Sequence, residues 1–127
     1  MMVLSSIDEL KKYFSPLMGR AEHHAKMVDE VVLSLMGAII ATKDEGTDIQ
    51  VRERNGHAAN LLWVYINGHR YAFCYTHGED SSENCIEMRD RTIQGEVVFT
   101  FTNKTTPAEV LGIFKSVNPQ AFAFVSQ

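Results

Sequence analysis

Several side chains between positions 74 and 85 are of the types that could supply a nucleophile, a base or metal ligands. Cys74 and His77 are three residues apart, Glu79 follows, and Cys85 comes last. A thiol, an imidazole and a carboxylate could form a nucleophile with its base, and two thiols with an imidazole could bind zinc. However, the spacing matches no recognised zinc pattern, and Cys74 falls inside a predicted strand that His77 has already left. We therefore predict two reduced thiols that pack as small apolar groups, with no metal ion and no other cofactor.

The remaining histidines and the motif content give no stronger indication of catalysis. His23 and His24 are adjacent on a predicted helix, so their side chains point about 100° apart and cannot chelate one ion in the usual way. The sequence contains no P-loop, no dinucleotide-binding glycine motif, no nucleophile elbow and no zinc-protease motif. These observations favour a non-enzymatic protein.

The elements that position these residues follow from apolar periodicity. A capping box at Ser6 begins a first helix with Leu4, Ile7 and Leu10 on its stripe, which ends near Phe14. A longer helix is predicted from about residue 21 to 42. Period-two alternation then predicts strands at 48–54, 60–66, 69–76, 85–90 and 96–102, and a last helix follows at 106–117. The sequence thus predicts a single domain over residues 1–127 of the α+β class, order α-α-β-β-β-β-β-α, with helices on one face of an antiparallel sheet of about five strands.

The two-residue turn Asn67-Gly68 fixes which residues share a face of the sheet. It places Ile66 opposite His69, and every second residue on each strand then lies on that same face. This face is nearly all apolar and is predicted to pack against the helices. It comprises Ile49, Val51, Leu62, Val64, Ile66, His69, Tyr71, Phe73, Ile86, Met88, Val97, Phe99 and Phe101.

The opposite face gathers arginines around two aromatic side chains. The register places Trp63 across from Ala72, and Tyr65 across from Arg70 within stacking range. The candidate residues for binding a ligand or partner are Trp63, Tyr65, Arg70, Arg52, Arg54 and Arg89. Three interpretations stay open: an ordinary solvated face, a self-association surface, or a site for a small anionic or aromatic ligand, a nucleotide or single-stranded nucleic acid. The leading hypothesis is a non-enzymatic binding module that acts as a homodimer, through this face or through the apolar tail at 122–125.

An alternative hypothesis uses the core face of the sheet. His69, Tyr71 and Tyr75 are its polar members, and a pocket between the helices and the sheet would make the protein a small-ligand-binding protein or an enzyme. A buried His69 beside a cavity would favour this hypothesis.

Composition excludes several classes of partner. The 127 residues include 12 Lys and Arg against 16 Asp and Glu, a net charge of −4 without a basic cluster, so duplex DNA is not expected. The apolar stretch at 31–41 is too short to span a membrane, and the first residues lack the charge order of a secretion signal. We expect a cytoplasmic protein.

The segment from about residue 20 to 117 resembles small bacterial orphan proteins carried on mobile integron gene cassettes. The resemblance lies in the order of helix, strand meander and helix, and in Asn67-Gly68 and Gln94-Gly95-Glu96-Val97. It implies a bacterial, cytoplasmic accessory protein. It assigns no activity and no functional residues.

Overall fold

The protein is an antiparallel sheet with helices against one face. The computed structural model describes residues 2–13, 29–54, 57–76 and 85–122, and for residues 2, 29, 53, 54 and 57–60 the backbone alone. The strands are β1 (Met2–Leu4), β2 (Ile49–Arg54), β3 (His57–Ile66), β4 (His69–Thr76), β5 (Cys85–Asp90) and β6 (Val97–Phe101), in spatial order β1 to β6. The helices are α1 (residues 7–13), α2 (Asp29–Thr42) and α3 (Pro107–Val117), and a short 3₁₀ turn, Pro119–Phe122, follows α3.

The predicted α+β class and antiparallel meander are confirmed, with one strand more than expected. β1 pairs with β2, and Leu4 lies opposite Ile49 with its side chain buried. Assigning Leu4 to the stripe of the first helix was therefore wrong. A three-residue strand is too short to show a period of two, and its apolar residues also continue the helical spacing of Ile7 and Leu10.

The register predicted for the β3–β4 hairpin is confirmed. Ile66 pairs with His69, Val64 with Tyr71 and Leu62 with Phe73. The turn residues Asn67 and Gly68 have φ values of 53° and 77°, the left-handed conformation that asparagine and glycine adopt most readily.

The core lies between this hairpin face and the helices. From the sheet, Ile49, Val51, Leu62, Val64, Ile66, Phe73, Ile86, Met88 and Phe101 are buried, and from α2 and α3 Val31, Val32, Leu35, Ile39, Val110 and Phe114. Phe114 connects the layers, because its ring centroid lies 6.1 Å from that of Phe73 and 6.4 Å from that of Phe101.

The assignment of Val97 to the core face was wrong. The β5–β6 ladder shifts register at Met88 and Arg89, so that Phe99 pairs with Met88 but Val97 pairs with Arg89. Arg89 belongs to the opposite face, and the Val97 side chain is 43% exposed. A bulge of this kind leaves no mark in the alternation of residue types.

The N-terminal capping residues predicted for the first and the last helix are confirmed. Thr106 and Glu109 form a reciprocal capping box at α3, and the Ser6 hydroxyl accepts the N–H of Glu9 at α1. The predicted helical residues 21–28 and the tail residues 123–125 lie outside the described residues. In the part of the chain that the structure describes, no helix is long and apolar enough to cross a membrane.

Candidate binding face of the sheet

The outer face, meaning the side of the sheet away from the helices, carries the predicted binding residues on its central strands. Trp63 pairs with Ala72 and Tyr65 with Arg70, as the turn predicts. On the far side of β4, Ala72 pairs with Arg89 and Cys74 with Glu87. Ala72 is fully buried although it faces outward, because larger side chains stand on both sides of it. At the centre of the outer face, the larger side chains therefore cover Ala72 and the backbone around it.

Arg70 is the central cation of the outer face. Its guanidinium carbon lies 5.1 Å from the centroid of the Trp63 ring, so the cation–π contact is made with the diagonal neighbour Trp63, whereas the sequence had suggested Tyr65, directly opposite. One terminal nitrogen donates to Gln50 Oε1 at 3.3 Å. The Nε of Arg70 is buried and has no hydrogen-bond acceptor among the described residues.

Arg89, in contrast, is fully engaged by the protein itself. Its Nη2 donates to Glu87 Oε2 at 3.0 Å and its Nη1 to the carbonyl of Gly95 at 2.9 Å. The second oxygen of Glu87 accepts the hydroxyl of Thr76. Arg89 therefore supplies a fixed wall of the face, and its charge is compensated by Glu87.

Arg52 adds a second cation without a carboxylate partner among the described residues. It is half-buried and close enough to Cys74 to act on its thiol. Tyr65 is 40% exposed at the margin of the face. Arg54 pairs with His57 at the end of β2, and its side chain lies outside the described part of the structure.

The two thiols lie on this face but are poorly suited to nucleophilic chemistry. Burial and then the Glu87 carboxylate raise the pKa of Cys74, against smaller opposing effects of Arg89 and Arg52. Burial, Glu87 and Cys74 raise the pKa of Cys85. Both groups are therefore held as neutral thiols near pH 7. No cluster of three or more metal-binding side chains occurs among the described residues, and His23, His24 and His77 lie outside them.

The second predicted set, His69, Tyr71 and Tyr75, follows β4 on the core face. His69 Nε2 is hydrogen-bonded to Asp90 Oδ1, and its side chain is 37% exposed at the hairpin end. The rings of His69 and Tyr71 are 4.8 Å apart. Burial and then Asp90 raise the pKa of Tyr71, and burial and then Cys85 raise that of Tyr75. His69 thus connects the ends of β4 and β5 at the protein surface.

Residue types alone do not identify two partners on the outer face, Gln50 and Glu87. Gln50 pairs with Trp63 in the β2–β3 ladder. The alternation of polar residues in β2 could have identified Gln50 as a neighbour of Trp63 if the register of the β2–β3 pairing had been known. The alternation of β5 places Glu87 on the same face as Arg89, but its role in holding Arg89 and Thr76 depends on rotamers that residue types do not specify.

Residues 10–112 match the family model described as "Integron cassette protein VCH_CASS1 chain". The chain belongs to this integron cassette protein family. The match confirms the resemblance seen in the sequence and includes every residue of the outer face named above. No curated protein matches this integron cassette protein. The family name refers to how the gene is carried and assigns no chemistry to the site.

Proposed function

We propose that this integron cassette protein is a non-enzymatic binding module of the bacterial cytoplasm whose binding surface is the outer face, centred on Trp63 and Arg70. The observation that carries the proposal is the environment of Arg70. Its guanidinium is held against an indole ring, with no carboxylate partner among the described residues and a buried Nε without an acceptor there. A buried donor without an acceptor costs about 1–3 kcal/mol, and an anion that displaced the side chains covering this nitrogen would remove that cost.

The partner that fits this surface presents a carboxylate or a phosphate beside a flat apolar group. Arginine binds such anions through its planar fork of donors, and the indole supplies a flat apolar surface. Arg52 raises the positive potential of the same face, whereas the whole chain carries −4. This local contrast attracts an anionic partner to one face of an acidic protein.

The thiols of the outer face support a binding role over catalysis. The raised pKa of Cys74 leaves a neutral thiol beside the arginines, so the anion-binding groups are not accompanied by an activated nucleophile.

The proposed assembly is a homodimer. It is supported by exposed apolar side chains at the margin of the outer face and on its edge strand: Tyr65 is 40% exposed, Val97 43% and Val98 42%. β6 is an edge strand of the sheet and carries no lysine or proline, the residues that commonly prevent edge pairing.

Ligand binding can be tested through Trp63, because the sequence contains one tryptophan. Titration with phenyl phosphate is expected to change its fluorescence saturably, and phenol, which lacks the anion, to bind at least about tenfold more weakly. Arg70→Gln should abolish this preference. Arg91→Gln is the matched control, since Arg91 is an exposed arginine outside the face, with 72% of its side chain accessible. Equal binding of phenol and phenyl phosphate, or unchanged binding by Arg70→Gln, would refute the proposed site.

The homodimer is tested by light scattering over a range of protein concentrations. Tyr65→Ser should weaken association, whereas Leu111→Ser, at a similarly exposed position on α3 (41%), should not. A monomer at all concentrations would exclude the dimer and leave the ligand site unaffected.

A further inference from the structure

A cavity of about 320 Å³ opens where β1 passes into α1, beside the end of α2 and the loop that leads into β2. It is lined by Leu4, Ser5, Ser6, Ile7, Leu10, Ile40, Lys43, Gly46, Thr47, Asp48 and Ile49. None of these residues belongs to the outer face around Trp63 or to the set of His69, Tyr71 and Tyr75. The cavity is therefore a separate feature of the molecule.

The apolar lining includes two side chains that the fold leaves exposed. Ile7 is 78% exposed and Ile40 is 52% exposed, while Leu4 and Ile49 beneath them are buried. Large apolar side chains in water are individually unremarkable, but two that converge on one cavity with an apolar floor resemble the wall of a small-molecule site.

The charges at the rim balance. The ammonium of Lys43 donates to the carbonyls of Asp44 and Thr47 and has no carboxylate within ion-pair distance among the described residues, so one of its three N–H groups remains available. Asp48 is exposed at the same rim. One cation and one anion at a single opening favour neither a cationic nor an anionic ligand. A hydroxyl group suits both, since it can accept from Lys43 and donate to Asp48.

We propose that this cavity binds a small, uncharged, mostly apolar molecule that carries one hydroxyl group. A volume of about 320 Å³ lies at the lower end of the range of small-molecule pockets. The apolar body contacts Ile7, Ile40 and Ile49, and the hydroxyl lies at the rim between Lys43 and Asp48. This inference is independent of the proposed function of the outer face.

The probe for this site is cyclohexanol, added to protein with ¹³C-labelled isoleucine methyl groups. We expect saturable shifts of the Ile7, Ile40 and Ile49 signals. The signal of Ile86, which is buried in the core on β5, and the fluorescence of Trp63 should stay unchanged. Cyclohexanecarboxylate and cyclohexylammonium should bind more weakly than cyclohexanol. Uniform shifts of all isoleucines, no saturation, or tighter binding of either charged analogue would overturn the proposal.

Two variants distinguish binding of cyclohexanol in the cavity from binding to exposed apolar side chains in general. Ile7→Ser should weaken cyclohexanol binding about tenfold, because the cavity loses an apolar wall. The substitution should change folding little, since Ile7 is 78% exposed. Leu33→Ser is the matched control, since Leu33 is 63% exposed on α2 and lies outside the cavity. Equal effects of the two substitutions would overturn the proposal by showing that cyclohexanol binds exposed apolar side chains in general. Shifts of Ile7 and Ile40 with protein concentration alone would overturn it by showing that a second copy covers these residues.

Discussion

Asp44 connects the loop after α2 to the turn of the β3–β4 hairpin, because its Oδ2 accepts the backbone N–H of Gly68 at 2.7 Å. Its other oxygen accepts the N–H of Asn67, also at 2.7 Å. The Asp44 N–H in turn donates to the carbonyl of Tyr65. One carboxylate thus satisfies both donors of a turn whose geometry fixes the register of the central hairpin, and hence the faces on which Trp63 and Arg70 lie.

Asp44→Ala is expected to lower the free energy of unfolding by about 1–3 kcal/mol, since two hydrogen bonds to a charged acceptor are lost at an exposed turn. Urea denaturation followed by Trp63 fluorescence measures the change. Glu45→Ala is the control: Glu45 is the exposed neighbour and should change stability by less than about 0.5 kcal/mol. Equal effects of the two substitutions would show that the connection between Asp44 and the turn is not stabilising.

The hairpin was predictable for a local reason. A two-residue Asn-Gly turn fixes the pairing of its strands, so Trp63 opposite Ala72 followed from the sequence alone. Pairing between strands joined by longer connections was not fixed in this way, and the shift at Met88 and Arg89 moved Val97 to the other face.

The candidate site was predictable by residue type but not by contact. The sequence placed Arg70 and Arg89 on one face, yet it could not show that Arg89 is bound by Glu87 while Arg70 lies over Trp63. Long arginine side chains have many rotamers, and the choice among them depends on neighbours such as Gln50 that are brought close by strand pairing.

The exposure of Val97 makes a direct test of the corrected register. Val97→Thr is expected to change stability by less than about 0.5 kcal/mol, because the side chain is already in contact with water. Phe101→Ala, on the same strand but fully buried against Phe114, should cost about 3–5 kcal/mol. Thermal or urea unfolding measures both. A decrease of more than about 1.5 kcal/mol in the free energy of unfolding on replacing Val97 would show that this side chain is buried in the core.

Gly95 is required by a close approach of the backbone. A Cβ at this position would lie 1.8 Å from the carbonyl oxygen of Asp90, so Gly95→Ala must displace the loop between β5 and β6. We expect a loss of about 1–3 kcal/mol and, because the Gly95 carbonyl accepts from Arg89, weaker phenyl phosphate binding at the outer face.

Gly37→Ala provides the comparison for Gly95. Gly37 lies in the middle of α2, and a Cβ there meets no atom within 4 Å. This substitution should stabilise the protein by about 0.5–1 kcal/mol, because alanine favours the helix. If Gly95→Ala stabilised the protein as Gly37→Ala is expected to, the close approach at Gly95 would not be the determining factor.

Stability should fall as the pH rises above about 8.5, the ordinary pKa of a cysteine. The pKa values of Cys74, Cys85, Tyr71 and Tyr75 are all raised in the folded protein, chiefly by burial. The folded state therefore retains protons that the unfolded chain releases, and the stabilisation present below the unfolded pKa is lost as the pH passes through the folded one. Urea denaturation at pH 7 to 11 measures this dependence.

Replacing both cysteines by alanine should flatten the first part of the decline, between about pH 8 and 10, and leave the later part, due to the tyrosines, unchanged. An unfolding free energy that stays constant up to pH 10 would contradict the burial of the two thiols on the outer face.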